Sequence, residues 1–174
     1  MLDCERGDRR GEGMDLGNLG IAYRTLGELD KAIAYQEQAL QIAREIGDKR
    51  GLANRLGNLS VVYADLKEFP SAIALYEEAL VIRREIGDKY GQEHDLGNLG
   101  DVYIDLGDID KAIEYYDAAL AITREIGAIR GEGRYLGNIG TASFALGNMS
   151  LAIECYEEAL AIARQIGERR GEGI

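Results

Sequence analysis

The sequence predicts an all-α fold, an α-solenoid of four antiparallel helix pairs. Three observations carry that prediction. A 40-residue block recurs four times in register, and repetition at a fixed period marks a stack of like supersecondary units. Each block contains two stretches whose apolar residues fall at helical spacing. A single proline stands in 174 residues, which leaves long helices uninterrupted.

The first helix of a block is read from Leu16, Leu19, Gly20, Tyr23 and Leu26, which fall at i, i+3, i+4, i+7 and i+10. The second is read from Ala32, Ile33, Gln36, Ala39, Leu40, Ala43 and Ile46 in the same way, with Gly27-Glu28-Leu29 as the turn between them. Pro70 fits the first turn of a second helix, where its missing N–H costs nothing. Arg44, Arg84, Arg124 and Arg164 fit the last turn, where a cation suits the helix dipole. Gly47, Gly87, Gly127 and Gly167 close the blocks, and Gly7 matches them one period earlier. Asp8, Asp48 and Asp88 follow those glycines and are expected to cap the next helix. Ala128 breaks that pattern, so the fourth block should start more loosely. The expected organisation is therefore a helix remnant at 1–7 with Leu2 aligned to Ile42, repeats at 8–47, 48–87, 88–127 and 128–167, and the start of a truncated fifth at 168–174.

Each first helix carries a near-copy of one motif: LGNLG at 16–20, LGNLS at 56–60, LGNLG at 96–100 and LGNIG at 136–140. A glycine inside a helix costs about 1 kcal/mol relative to alanine, so something must offset seven of them. Gly20, Gly100 and Gly140 share the apolar face with the leucines, which predicts a close approach of paired helices. Ser60 is the next smallest choice at that place. One helical hairpin cannot bury its apolar face alone, so hairpins must stack.

These residues resemble the tetratricopeptide repeat. Its signature of small and large residues reads Leu19, Gly20, Tyr23, Gly27, Ala32 and Ala39 in the first block, and Leu99, Gly100, Tyr103, Gly107, Ala112 and Ala119 in the third. The second block, Leu59, Ser60, Tyr63, Lys67, Ala72 and Ala79, departs at two glycines. The fourth, Ile139, Gly140, Ser143, Gly147, Ala152 and Ala159, replaces the tyrosine and sets Phe144 alongside. The usual unit has about 34 residues. The longer period, the Leu-Gly-Asn motif and the EIGD-type ending resemble the Pins-type adaptors of cell polarity, and also repeat arrays attached to bacterial signalling and regulatory proteins. The resemblance implies a right-handed superhelix whose first helices line a concave groove. It also implies a protein–protein interaction scaffold, with a partner's peptide or helical segment held in that groove.

Helical geometry points to the same groove independently. At about 100° per residue, the positions opposite the Leu16–Leu19–Tyr23 face are Met14, Asn18, Ile21 and Thr25. The later blocks place Asn54, Asn58, Val61 and Asp65, then His94, Asn98, Asp101 and Asp105, then Arg134, Asn138, Thr141 and Ala145 there. Only the asparagine column is constant. An amide offers both a donor and an acceptor, so Asn18, Asn58, Asn98 and Asn138 can hold the backbone of an extended peptide; the other reading is that each bonds to the adjacent repeat. Gly17, Gly57, Gly97 and Gly137 beside them would let a ligand or a neighbouring helix come close. The varied columns would set specificity. Asp65, Asp101 and Asp105 would meet a basic residue of the ligand and Arg134 an acidic one, unless these are solvated surface charges. With Arg134 as the one groove cation and no groove lysine, the carboxylate-clamp role of related modules is not expected.

The remaining features exclude functions. A net charge of −11 argues against nucleic acid and anionic membranes, which attract basic surfaces. No apolar run approaches the ~18 residues of a membrane span, and MLDCERGDRR lacks the form of a signal peptide. Two cysteines, Cys4 and Cys155, make no disulfide framework and fit a reducing, cytoplasmic setting. Cys155 takes the place of Tyr35, Leu75 and Tyr115 and reads as packing or helix surface. His94 has no metal-ligand pattern around it, the serines carry no nucleophile motif, and no phosphate loop is present. Neither catalysis nor a cofactor nor a metal is expected. Two alternatives to a peptide-binding scaffold remain: a structural segment that self-associates through uncapped ends, and a regulatory array belonging to a larger signalling protein.

Overall fold

A computed structural model describes residues 2–171, with side chains described over 8–167. Among the described residues there are eight α-helices and no strand. They are α1 (Leu2–Thr25), α2 (Leu29–Ile46), α3 (Lys49–Asp65), α4 (Phe69–Glu85), α5 (Lys89–Leu106), α6 (Ile109–Ile126), α7 (Ile129–Ala145) and α8 (Met149–Gly171). None is long and apolar enough to cross a membrane. The chain forms two compact units, Met1–Gly91 and Gln92–Ile174.

In the first unit α1 pairs with α2, α3 pairs with α4, and α3 also packs on α2. The expected close approach at the motif glycines is present. A Cβ on Gly20 would stand 2.6 Å from Nε2 of Gln36 on α2, and that buried amide donates to the Gly17 carbonyl at 2.9 Å. Ser60 is fully buried and returns its hydroxyl to the Leu56 carbonyl at 2.7 Å. Leu40, Leu56 and Ala79 form a core cluster joining α2, α3 and α4, with Leu52 packed against it.

In the second unit α7 pairs with α8 and packs on α6. Tyr103 of α5 stacks on Tyr115 of α6 at 5.2 Å, and Lys111 lies over the Tyr103 ring. A Cβ on Gly100 would stand 2.4 Å from the buried Tyr116 ring, and one on Gly140 2.9 Å from Tyr156. Cys155 is buried, as packing requires, and burial pushes its thiol pKa up.

The turns follow the sequence with instructive exceptions. Gly47 and Gly127 end α2 and α6 at φ 69° and 68°, the left-handed conformation that closes helices. Lys67 adopts φ 63° where the other blocks place Gly27, Gly107 and Gly147; a side chain in that region is strained. Asp48 caps α3 by accepting from the Gly51 N–H, and Asp88 accepts from Gly91. Ala128 supplies no side-chain cap. Two expected breaks do not occur. Gly7 and Asp8 lie inside continuous α1, and Gly167 lies inside α8, because a lone glycine weakens a helix without ending it. The side chains of 1–7 and 168–174, including Leu2 and Cys4, are outside the described residues.

Candidate functional site

Leu56 and Leu59 of α3, Leu96 and Leu99 of α5 and Leu136 of α7 are buried, and the opposite face of the first helices turns outward. In the first unit Met14, Asn18, Ile21 and Thr25 of α1 are exposed, as is Asn54 of α3, with Asn58 and Val61 half-buried. In the second unit His94, Asp101 and Asp105 of α5 and Arg134, Thr141 and Ala145 of α7 are exposed, with Asn98 and Asn138 half-buried. The face assigned from helical geometry is therefore the open one.

The asparagines divide into two groups. Asn18, Asn58 and Asn138 make no side-chain hydrogen bond among the described residues, so they do not bond to a neighbouring repeat there. Asn54 accepts from Nη1 of Arg83 at 3.2 Å. The Asn98 amide lies 3.2 Å from His94 Nδ1 and donates to it when that nitrogen carries no proton.

The charged columns are more occupied than expected. Asp65 pairs with Arg24 at 2.6 Å. Arg134 reaches Glu93 at 2.8 Å and lies over the Tyr135 ring. It is not a free receiver for a ligand's acidic group, which would have to displace Glu93. Asp101 accepts from the Tyr116 hydroxyl at 2.6 Å. Burial first, then that bond, holds the Tyr116 pKa far above the usual value, and Tyr135 is raised by burial and by Glu93.

Two of the glycines beside the asparagines, Gly17 and Gly97, serve the neighbouring helix. A Cβ on Gly17 would stand 1.4 Å from the Arg55 guanidinium, and one on Gly97 2.4 Å from the Tyr135 hydroxyl. Each glycine is a socket for a side chain 38 residues later. Burial lowers the pKa of Arg55.

In the second unit, α5, α6 and α7 enclose a cleft of about 300 Å³. Asp101, Asn138, Thr141 and Ala145, all on the expected groove columns, line it together with Ile104, Ile109, Tyr116 and Ala142. The apolar walls and Tyr116 were not among the expected site residues. Their signal was faint: Ile104 stands one column over, and Tyr116 sits in a second helix at the place of Gln36 and Tyr76. Asp65 belongs to the first unit and takes no part in this cleft.

Helix hairpins with small residues at the crossing and an open polar face define an all-α helix-hairpin repeat. The tetratricopeptide repeat family model matches residues 14–85 and 94–167, and the chain belongs to that family. Solved structures with the same fold include BtubC (BKLC) from P. vanneervenii, at 25% identity and a TM-score of 0.82 over 89% of this chain and 64% of that one. Aspartyl phosphate phosphatase F from Bacillus subtilis matches at 19% identity and a TM-score of 0.87, over 91% of this chain and 42% of that one. A signal transduction ATPase with a tetratricopeptide repeat sensor, from Pyrococcus horikoshii, matches at 23% identity and a TM-score of 0.83, over 93% and 25%. The chain thus spans between a quarter and two thirds of the length of these structures. No curated protein matches it in sequence.

Proposed function

We propose that the chain is a non-catalytic, cytoplasmic interaction scaffold organised as four repeats, and that it binds a peptide or helical segment of a partner protein along the open face of its first helices. One observation carries the reading: Asn18, Asn58 and Asn138 present amides with no internal partner on that face, the last of them in the Asp101 cleft. Asn58 and Asn138 are half-buried, and such polar groups gain more from a partner that satisfies them than exposed ones do. The cleft combines an aspartate with the aliphatic walls of Ile104, Ile109 and Ala142, which suits a basic side chain with a long stem. A Rap protein of the same fold, solved in complex with competence and sporulation factor, supports binding as a use of this architecture. The sensor array of the ATPase above supports a second setting, in which these repeats regulate a larger protein.

The test compares partners captured from cell extract by the wild-type chain and by an Asn18→Ala, Asn58→Ala, Asn138→Ala variant, with circular dichroism on both. A partner that binds the wild type and is lost from the folded variant supports the reading. Identical capture by both would show that the asparagine face is not the site.

A further inference from the structure

Arg55 of α3 is a half-buried cation that pairs with nothing among the described residues. Its guanidinium fills the Gly17 socket on α1, yet no hydrogen bond or ion pair reaches it there. Asp48 acts on it only through space. One Asp48 oxygen takes the Gly51 N–H and the other takes Arg10, each at 3.0 Å. A charge drawn out of water without a partner costs free energy, and burial accordingly lowers the Arg55 pKa. Other arginines avoid that cost. Arg24, Arg44 and Arg124 each meet a carboxylate, while Arg84 and Arg130 stand exposed to water.

The second unit shows what belongs at such a tip. Tyr135 fills the Gly97 socket as Arg55 fills that of Gly17. Its hydroxyl, and Arg134 beside it, are held by the Glu93 carboxylate. Glu93 stands four residues before Gly97, about one helical turn. The residue four before Gly17 is Gly13, which has no carboxylate to offer, and a Cβ there would already stand 3.1 Å from Ile42. Gly13 and Arg55 instead line a recess of about 20 Å³, together with Met14, Gly51 and the Arg10–Asp48 pair. That is room for about one water-sized group. The second unit thus gives its phenol an internal acid, and the first unit leaves its cation without one.

We propose that Arg55 receives a carboxylate of the bound partner segment, supplied from outside where the second unit supplies Glu93 from within. The inference rests on the asparagine face being the binding surface. Asn18 directly follows Gly17, and Asn58 lies three residues after Arg55, so amides without internal partners stand beside the guanidinium on both helices. They can hold the main chain of the segment, while the planar fork takes both carboxylate oxygens. A net charge of −11 favours a singly charged carboxylate over a doubly charged phosphate. The acidic group that the sequence assigned to Arg134 therefore passes to Arg55. The site is one guanidinium seated in a glycine socket, not a set of groove lysines.

The experiment is a heteronuclear NMR titration of the full chain with capped pentapeptides. The probes are acetyl-Ala-Ala-Glu-Ala-Ala-amide, its Gln counterpart, its phosphoserine counterpart, and an all-alanine peptide with a free C-terminal carboxylate. The Arg55 Nε–H signal, assigned by its absence from Arg55→Gln, is followed with the Asn18 and Asn58 amides. A carboxylate peptide is expected to shift all three and to bind about tenfold more tightly than the Gln peptide. Added salt should narrow that gap. Whether the side-chain or the C-terminal carboxylate binds names the source of the acid. Arg55→Gln should erase the advantage without lowering the melting temperature, since it removes an unpaired charge, and Arg84→Gln should keep it. Should circular dichroism show Arg55→Gln unfolded, Gly17→Ala takes its place, because the added methyl pushes the guanidinium aside. A Gln peptide that shifts Asn18 and Asn58 and binds as tightly as the carboxylate peptides overturns the role of Arg55 and leaves the asparagine face standing. An Arg55 signal that moves with no carboxylate peptide, or only with the phosphoserine one, also overturns it. Amides at Asn18 and Asn58 that respond to none of the peptides would count against the asparagine face as well.

Discussion

The two units place different chemistry on one backbone plan. Under the first-helix glycine, the first unit sets the Gln36 amide at Gly20, and the second sets the Tyr116 ring at Gly100. In the socket beside the asparagine, the first unit places a guanidinium, Arg55 at Gly17, and the second a phenol, Tyr135 at Gly97. Near the end of the second helix the first unit buries Arg83, paired with Asp88 at 2.7 Å and bonded to Asn54. The second unit has Thr123 there, which satisfies itself on the Ala119 carbonyl at 2.8 Å. Glycines and leucines thus fix the register. The filler is free to change, provided its polar atoms find partners. Polar fillers should make the Gly17 and Arg83 sites of the first unit respond to loss of charge, and Tyr116 and Tyr135 should make the second unit respond to alkali and to overpacking.

The largest effect is expected at Arg83. Replacing it with methionine keeps much of the side-chain volume but strips the partner from the largely buried Asp88 carboxylate. Breaking a buried ion pair by removing one side costs about 3–5 kcal/mol. Urea unfolding of Arg83→Met should show a loss of that size, with faster hydrogen exchange at Gly91, whose N–H is held by Asp88. The matching change in the second unit, Thr123→Val, leaves no charge unpaired and should cost far less. Similar losses at both sites would erase the contrast between the units.

Alkali should act on the second unit through two of its tyrosines. The folded chain holds the protons of Tyr116 and Tyr135 to higher pH than an exposed tyrosine would, with burial as the first cause in both. The unfolded chain releases those protons near pH 10. Above that, the unfolded state binds fewer protons than the native one, so stability falls as pH rises. Below it the two states are equally protonated at these groups, and no dependence arises from them. The slope should approach about 1.4 kcal/mol per pH unit for each tyrosine. Thermal melts between pH 9 and 12 would measure it, and Tyr135→Phe should remove one tyrosine's share. A flat profile above pH 10 would mean that the rings are not held as the structure holds them.

The glycine sockets sharpen the comparison at lower cost. At Gly97 an added methyl meets the rigid, buried Tyr135 ring, and overpacking of this kind costs about 1–3 kcal/mol. About 1 kcal/mol returns through helix propensity, so Gly97→Ala should lose up to about 2 kcal/mol. At Gly17 the clash is with the far end of a flexible Arg55 side chain, which can swing aside. Gly17→Ala should therefore be near neutral. Equal losses at the two positions, read from unfolding midpoints, would show that filler rigidity does not matter.

Helix pairing, the buried leucine face and the open asparagine column were legible because each follows from spacing within one helix. Gly20, Gly100 and Gly140 were legible as crossing points for the same reason. What was hidden lies between helices distant in sequence. Arg134 looks like a groove cation until Glu93, 41 residues earlier, is seen to hold it. Gly17 and Gly97 looked like room for a ligand or a helix, and only the fold shows Arg55 and Tyr135 in that room. A large residue recurring 38 positions after a glycine was the available sign, and a periodic pattern alone does not say which pairs touch. Asp8 was misread as a cap because capping depends on where the helix begins upstream, and α1 begins at Leu2.

The smallest effect tests the comparison at a glycine with no filler. Gly137 is the same repeat residue as Gly17 and Gly97, yet its Cβ site is empty within 4 Å. It lies within α7, so Gly137→Ala should gain up to about 1 kcal/mol from helix propensity alone. The sign is opposite to that at Gly97, although the two residues are equivalent in sequence. The melting temperature should rise by a few degrees. A fall instead would mean that the Gly137 site is filled as the Gly97 site is.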